Sequence, residues 1–514
     1  MDPVLSSYEE IPYESTPIHH AHPDVMATSA FLLGLDPPPV PTSRMLELGC
    51  STGGNLITIA LSFPEATFVG IDLSPRQIAE GRAIVEKLGL NNVSLHAKSI
   101  LDIEQDFGRF DYIICHGVYS WVPEEVRKKI LSICSHNLSP AGLAYISYNT
   151  YPGWHVRGMM REMLNYHVRN TADPRQRIVE GRAFIDLLAK TVRDPDGPYG
   201  KLLAREADIV RASPDWYLYH EHFEQDNRPL YFHEFARQCA AAQLDFVAEV
   251  RLGNHAPPLL SAAIREALSE LPSDLVEREQ YLDFLQNRTF RRSILSHQGT
   301  AARIAPSPQR VAQLHAECNV RPVPEAKQGD VEQFATREGQ KLSTNNPWMK
   351  ALLHVLFDVW PRSLSYGELR EQVDARLDGP TPGERLMQTL MQCYLASLVE
   401  LMQYPSRFVL EPSQRPRAFP IARLQAVDGL DRVSTLRHRT VILGDFDRLI
   451  LAMLDGTRTQ EQLVEEAMSA IKRGEFSVQK KDQPVTDLHE ARQIIADSLP
   501  IVLQRLGRAA LLVE

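Results

Sequence analysis

The 514-residue chain is short of the features that assign a protein at sight. Its six cysteines (50, 115, 134, 239, 318 and 393) are scattered and form no C-x-x-C pair. That excludes a structural zinc site of the usual spacing and fits a reducing compartment. No stretch approaches eighteen consecutive apolar residues, so no membrane span is expected. An excess of basic charge is also missing. The net charge is -10, which argues against non-specific nucleic-acid binding. The opening MDPVLSSYEEIPYES is acidic and polar and reads as no signal peptide. The expected location is therefore cytoplasmic. Histidines gather in HHAH (19–22) and at 220, 222 and 233, but without the cysteine or carboxylate spacing of a metal site, so no metal is expected.

What is present is a regular alternation. RMLELG, TFVGIDL, VSLHAKS, FDYIICHG and GLAYISYN read as strands. GNLITIALSF, SPRQIAEGRAIVEKLGL and PEEVRKKILSICSHNL read as helices between them. This predicts an α/β fold with a mostly parallel sheet and helices on both faces. FHEFARQCAAAQL, DFVAEV and TFRRSILSHQ extend it by a helix and two strands. The layout expected is one domain over 1–300, with helical insertions at about 155–225 and 256–286, and a proline-rich linker over 301–325. Three amphipathic segments and a short apolar run, RFVLEP, make 326–415 winged-helix-like, and 416–514 reads as a second small, mainly helical domain. Residues 331–405 carry nine acids and seven bases, a poor footprint for reading nucleic acid. The C-terminal region, about 326–514, is therefore expected to face a protein acceptor and to add nothing to ligand affinity at the sheet.

The stretch LELGCSTGGN, residues 46–55, contains a literal G-x-S-x-G, the nucleophile elbow of serine hydrolases. That elbow needs a sheet largely built before it, and this loop follows the first strand. Ser51 therefore reads as part of a ligand's bed. No Lys-Ser/Thr follows the glycines, and Ser51 breaks G-x-G-x-x-G. What remains is Glu47-x-Gly49-x-x-x-Gly53-Gly54, followed by a second strand that ends in Asp72. The glycines allow close backbone approach. The acid can accept both ribose hydroxyls of an adenosine-containing ligand.

LELGCSTGGN resembles the first motif of the class I S-adenosylmethionine-dependent methyltransferases, and GIDLS the second. HAKSILDI and FDYIICHGVYSWVP stand at the family's later landmarks. The resemblance implies a Rossmann-like sheet whose last strand is antiparallel, with S-adenosyl-L-methionine as cofactor. It implies cofactor contacts at Glu47, Gly49, Cys50, Gly53, Asn55, Asp72, Leu73, Ser99, Ile100 and His116. YEEIPYES…HPD and YHEHFEQDNRPLYFHEFA further resemble bacterial methyltransferases with a methyltransferase regulatory domain. Some of these methylate lysines of outer-membrane proteins. The function implied is N-methylation of lysine side chains of a protein. The alternatives are a small-molecule or natural-product methyltransferase and, further off, a non-catalytic cofactor-binding regulatory protein.

After the fifth strand, ISYNTYPGWH crowds aromatic residues together. Aromatic walls suit a lysine stem and a nearby sulfonium, so Asn149, Tyr151 and Trp154 are expected to line the acceptor site. A lysine amine, with an ordinary pKa of about 10.4, must be neutral to attack. Tyr148, then Tyr119, are expected to orient its lone pair. For an oxygen acceptor His116 is the candidate base.

Overall fold

A computed structural model of the chain describes residues 10–513, apart from 225, 256–265, 267–273, 301, 303, 304, 325–328, 337, 338, 340, 378, 481 and 482. Its centre is a seven-stranded sheet of β1 (Arg44–Leu48), β2 (Thr67–Asp72), β3 (Val93–Ala97), β4 (Phe110–Cys115), β5 (Leu138–Asn149), β6 (Leu244–Glu249) and β7 (Phe290–His297). The order is β3-β2-β1-β4-β5-β7-β6. β1 to β5 run parallel, and β7 is antiparallel to β5 and β6. This is the α/β sheet expected, with its last strand reversed. The order turns back between β1 and β4, which opens a crevice at the strand ends where such sheets bind ligands.

The helices start where the chemistry directs them. α1 (Pro23–Leu32) opens with proline after His22, whose ring accepts from Asp24 N. α2 (Gly54–Ser62) follows Gly53, which has φ +77°. α3 (Pro75–Lys87) is capped by Ser74, which accepts from Gln77 N. α4 (Glu124–His136) connects β4 to β5. The two-residue period of the strands then sorts the core. Leu46, Ile113, Cys115, Ala144, Ile146 and Tyr148 face α4 and α9 (Phe232–Ala241). Met45, Tyr112, Ile114, Leu143 and Tyr145 face α1 and α2.

α5 (Trp154–His167), α6 (Pro174–Thr191), α7 (Pro198–Ala212) and α8 (Asp215–His222) make the first helical insertion. They enclose a core of their own that also takes Ile11. Most of the expected second excursion lies outside the described residues. Its end is α10 (Leu275–Gln286).

The stretch read as a linker is structured. Its β8 (His315–Glu317) is the middle strand of a three-stranded sheet with β12 (Leu364–Ser365) and β13 (Glu400–Met402). Leu314, Ala316, Cys318 and Val320 are buried alternately, a strand period overshadowed by the prolines around it. β13 ends before RFVLEP, which forms no strand. β9 (Arg321–Pro322), β10 (Glu332–Ala335) and β11 (Lys341–Thr344) form a second small sheet. The three expected helices are α11 (Pro347–Val359), α12 (Tyr366–Arg376) and α13 (Gly383–Leu395).

The last unit holds α14 (Pro420–Val427), the hairpin β14 (Arg432–Ser434) and β15 (Thr440–Ile442), α15 (Asp445–Met453) and α16 (Gln460–Lys472). A second hairpin, β16 (Gln479–Lys480) and β17 (Gln483–Pro484), precedes α17 (Leu488–Arg508). Its core takes in Ile57 of α2, with Leu61, Ile84 and Leu88 packed against it. The unit therefore sits directly on α2 and α3. No helix among the described residues is long and apolar enough to cross a membrane.

Candidate functional site

The glycine loop is held open from both sides. Gly49, Ser51 and Gly53 have φ of 74, 53 and 77°, a left-handed region that costs L-residues more than glycine. A Cβ on Gly49 would meet Cγ2 of Val118 at 2.6 Å, so the loop after β4 rests directly on this one. Gly49 N and Cys50 N donate to Ile71 O at 2.9 and 3.0 Å. Ser51 N donates to Asp72 Oδ2 at 2.8 Å, and Ser74 N to Asp72 Oδ1 at 3.0 Å. A carboxylate oxygen has two lone-pair sites, so Asp72 can brace the loop and still accept from a ligand. Cys50 offers only its backbone. Its buried thiol lies under Gly70, where a Cβ would meet Sγ at 2.7 Å.

Beneath the loop, Glu47 is 3% exposed. Its Oε1 accepts from Asn55 Nδ2 at 2.9 Å, and its Oε2 has no hydrogen-bond partner. Burial pushes its pKa up to about 8, against the Asn55 hydrogen bond. An N-terminal strap closes over this arrangement. Gly54 N donates to Ser15 Oγ at 2.8 Å, and Ile18 N to Asn55 Oδ1 at 3.0 Å. Tyr13 is seated edge-on against Trp216 of α8 at 4.5 Å. Further along the strand ends, Leu73 is exposed and Ile100 half-buried. Ser99 caps the turn Ile100–Asp102 by accepting from Leu101 N at 3.2 Å. An unpartnered buried carboxylate oxygen, a glycine bed, an acid at the next strand end and apolar edges beyond it fit a ligand with an ammonium at one end and an adenosine at the other.

His116 stands at the end of β4. Its Nδ1 is 2.8 Å from Tyr145 Oη and 3.3 Å from Ser147 Oγ, and Gly117 N donates to Ser147 Oγ at 2.8 Å. Phe290 meets the imidazole edge-on at 6.1 Å, and the Arg292 guanidinium lies 5.0 Å from the centre of the Phe290 ring. Arg292 Nε is buried without a partner. Desolvation, with Arg292 adding to it, pushes the His116 pKa down to about 3, so the ring is neutral. Asn149 shares this face of β5, and its buried Nδ2 also lacks a partner.

Tyr148 and Tyr119 do not join this group. Strand alternation turns Tyr148 to the opposite face, where it stacks on Phe235 at 4.1 Å. Tyr119 donates to Gln238 Oε1 at 2.7 Å in the same core. Tyr145 and Ser147, not singled out in the sequence, occupy the face where Tyr148 was expected. The i, i+2 rule applied backward from Asn149 would have found Ser147 and Tyr145. Tyr151 stacks on His155 at 4.1 Å, and buried Trp154 meets Trp121 edge-on at 6.3 Å. Among the described residues no three or more His, Cys, Asp or Glu side chains stand together as metal ligands. The sequence predicts a C-terminal region set apart by a linker; in the structure it touches the residues under the loop, where His438, from the turn between β14 and β15, lies 2.7 Å from Asn55 Oδ1 through Nε2.

Comparison with known proteins agrees with this architecture. Residues 40–190 match a methyltransferase domain, 214–297 a predicted methyltransferase regulatory domain, and 414–511 the PKMT C-terminal winged helix domain. "Uncharacterized protein RP789" of Rickettsia prowazekii (strain Madrid E) is 33% identical over 525 residues, covering 98% of this chain and 93% of that protein. Among solved structures, PKMT2 from Rickettsia typhi in complex with AdoHcy superposes with a TM-score of 0.87 at 26% identity, covering 98% of this chain and 100% of that one. A second structure of PKMT2 from Rickettsia typhi gives the same TM-score and coverage at 25% identity. The chain belongs to the class I S-adenosylmethionine-dependent methyltransferases that carry a methyltransferase regulatory domain and a PKMT-type C-terminal winged-helix domain.

Proposed function

We propose that this protein N-methylates lysine side chains of other proteins in the cytoplasm, with S-adenosyl-L-methionine as donor. The observation that carries the proposal is the end-to-end likeness to PKMT2, solved with AdoHcy, at a TM-score of 0.87. Glu47 Oε2 takes the cofactor's ammonium, the backbone of Gly49 and Gly53 lies along its methionine chain, and Asp72 takes its ribose hydroxyls. Leu73, Ser99 and Ile100 border the adenine. S-adenosylmethionine, when bound, supplies a methyl group on a sulfonium for direct in-line displacement.

The remaining work falls to the chain's own side chains. An amine must lose its proton before it attacks, and nearby positive charge favours that loss. Arg292 provides such charge: it depresses both His116 and His20, the latter to about 2 after desolvation. With His116 neutral and accepting at Nδ1, the Tyr145 hydroxyl donates to it and keeps its own lone pairs for an amine N–H. Ser147, held by Gly117 N, steadies the same ring. Asn149 Nδ2 and the aromatic ring of Tyr151 bound the acceptor's approach, with Trp154 as the wall behind.

The test is incubation of host lysate with the enzyme and isotopically labelled methyl donor, followed by mass spectrometry. The expected result is label on lysine residues of proteins. Label confined to metabolites would replace this reading with a small-molecule methyltransferase.

A further inference from the structure

The turn between β14 and β15 makes three contacts with three consecutive residues. Arg437 pairs with Glu317 of β8, and Arg439 with Glu400 of β13. Between them, His438 reaches into the transferase unit and meets Asn55 Oδ1 at 2.7 Å. Asn55 Nδ2 donates to Glu47 at 2.9 Å, so Asn55 uses its oxygen as acceptor and His438 Nε2 is the donor. Burial holds His438 well below the usual histidine range, which leaves the imidazole neutral and suited to donate from one nitrogen. His438, Asn55 and Glu47 are 4, 2 and 3% exposed. His438 also has φ +52°, an unusual backbone state for a residue other than glycine. Such states persist where surrounding contacts demand them. His22 flanks the ring at 5.0 Å.

The chain Glu47–Asn55–His438 is thus continuous, buried and anchored in two different units. Asn55 Oδ1 also takes Ile18 N, so the N-terminal strap ends on the same atom. Without His438, Asn55 keeps one of its two donors and can rotate, and Glu47 loses a fixed partner.

We propose that His438 is a positioning residue of the cofactor site: through Asn55 it fixes Glu47 to receive the cofactor's ammonium, which makes the C-terminal winged-helix unit part of that site. The proposal rests on the cofactor assignment above. It differs from a general bracing role because its effect is confined to the amino-acid end of the ligand.

Two ligands separate these cases on the full-length protein. S-adenosylhomocysteine carries the amino acid, and 5′-methylthioadenosine shares the adenosine and thioether but lacks it. Calorimetric titration of His438→Ala should show affinity for S-adenosylhomocysteine reduced about tenfold, the scale of one buried hydrogen bond. Affinity for methylthioadenosine should not change. His438→Phe keeps the ring volume without the donor and should behave alike if the alanine variant does not fold. His438→Gln, which retains an N–H donor, should recover most of the loss. An equal loss for both ligands in the folded variants, or no loss for either, overturns the proposal. A wild-type protein that binds neither ligand overturns the cofactor assignment itself, and this proposal with it.

Discussion

Arg291 and Arg292 are neighbours in β7 and face opposite sides of the sheet. Arg291 is fully buried. Its Nε donates to Asp283 at 2.8 Å, its Nη1 to Glu249 at 3.1 Å, and its Nη2 to Asp283 at 2.8 Å and Glu279 at 3.2 Å. The guanidinium also lies 3.9 Å from the centre of the Phe232 ring. Every nitrogen is used, and the three acids come from β6 and α10. Arg292 has no such cage. It lies against Phe290 with Nε unpaired, opposite Ser147 in the ladder and beside His116. One strand thus carries a cation that holds the fold together and a cation left available to a ligand. A buried charge with a full set of partners is structure, whereas one with a gap in its set marks chemistry.

The sharpest way to break the comparison is Arg291→Ala. It removes the guanidinium shared by three buried carboxylates and leaves Asp283 with Arg288 alone as cation, a change that costs roughly 3–5 kcal/mol for a broken buried pair. Urea unfolding should show that loss, and cofactor binding should fall only as the folded fraction falls. A stable, fully folded alanine variant would show the cage to be ornamental.

Glu47→Gln probes the gap on the other face. Removing the charge should weaken S-adenosylhomocysteine binding by roughly 1.5–3 kcal/mol, the range for a hydrogen bond to a charged group. Glu47 has a native pKa raised from 4.5 to about 8. The unliganded protein therefore keeps its proton at neutral pH, while a ligand ammonium prefers the carboxylate. Wild-type affinity should climb as pH rises toward 8 and binding should release a proton, whereas the variant should show neither. The stability of the unliganded protein runs the opposite way. Glu47's contribution is full below pH 4.5 and is lost as pH rises through about 8. Calorimetry in buffers of different ionisation enthalpy reads the proton release; equal heats across buffers would place the ammonium elsewhere.

Arg292→Gln is milder. Among the described residues it has no carboxylate partner to strand, so stability should change by less than about 1 kcal/mol. Single-turnover methylation near neutral pH should slow about tenfold, and the rising limb of its pH profile should move up by about one unit as the acceptor amine holds its proton more tightly. An unchanged profile would remove Arg292 from the chemistry.

The backbone of this site was legible in local sequence, and its side-chain wiring only in part. Strand, glycine turn, Ser-Pro helix start and terminal Asp72 are short-range signals, and each lies where the pattern put it. Tyr148 stands in an aromatic cluster in the sequence, yet side-chain direction in a strand depends on register, and one step of register exchanges the faces. Tyr145 and Ser147 follow from the i, i+2 rule once Asn149 is taken as the residue on the site face, and the pairing of β5 with β7 fixes that face. His438 lies 383 residues from Asn55, and nothing local marks it. The prolines before β8 hid a strand because its partners, β12 and β13, lie far along the chain.

The smallest effect belongs to the residue that first raised the question of a nucleophile. Ser51 holds Asp72 through its backbone N–H, which any residue but proline retains. Its hydroxyl makes one long contact, 3.4 Å to Tyr13 O, at an exposed position. No histidine among the described residues is paired with it to activate the oxygen for attack. Ser51→Ala removes that contact and keeps the loop's bonds. The free energies of cofactor binding and of unfolding should each stay within about 0.5 kcal/mol of the wild type. The left-handed φ of 53° at this position is no harder for alanine than for serine by much, since both carry a Cβ. A larger loss would mean that the strap at Tyr13 depends on this hydroxyl. An esterase activity that disappeared with it would restore the hydrolase elbow and set the unpaired Arg292 a different task.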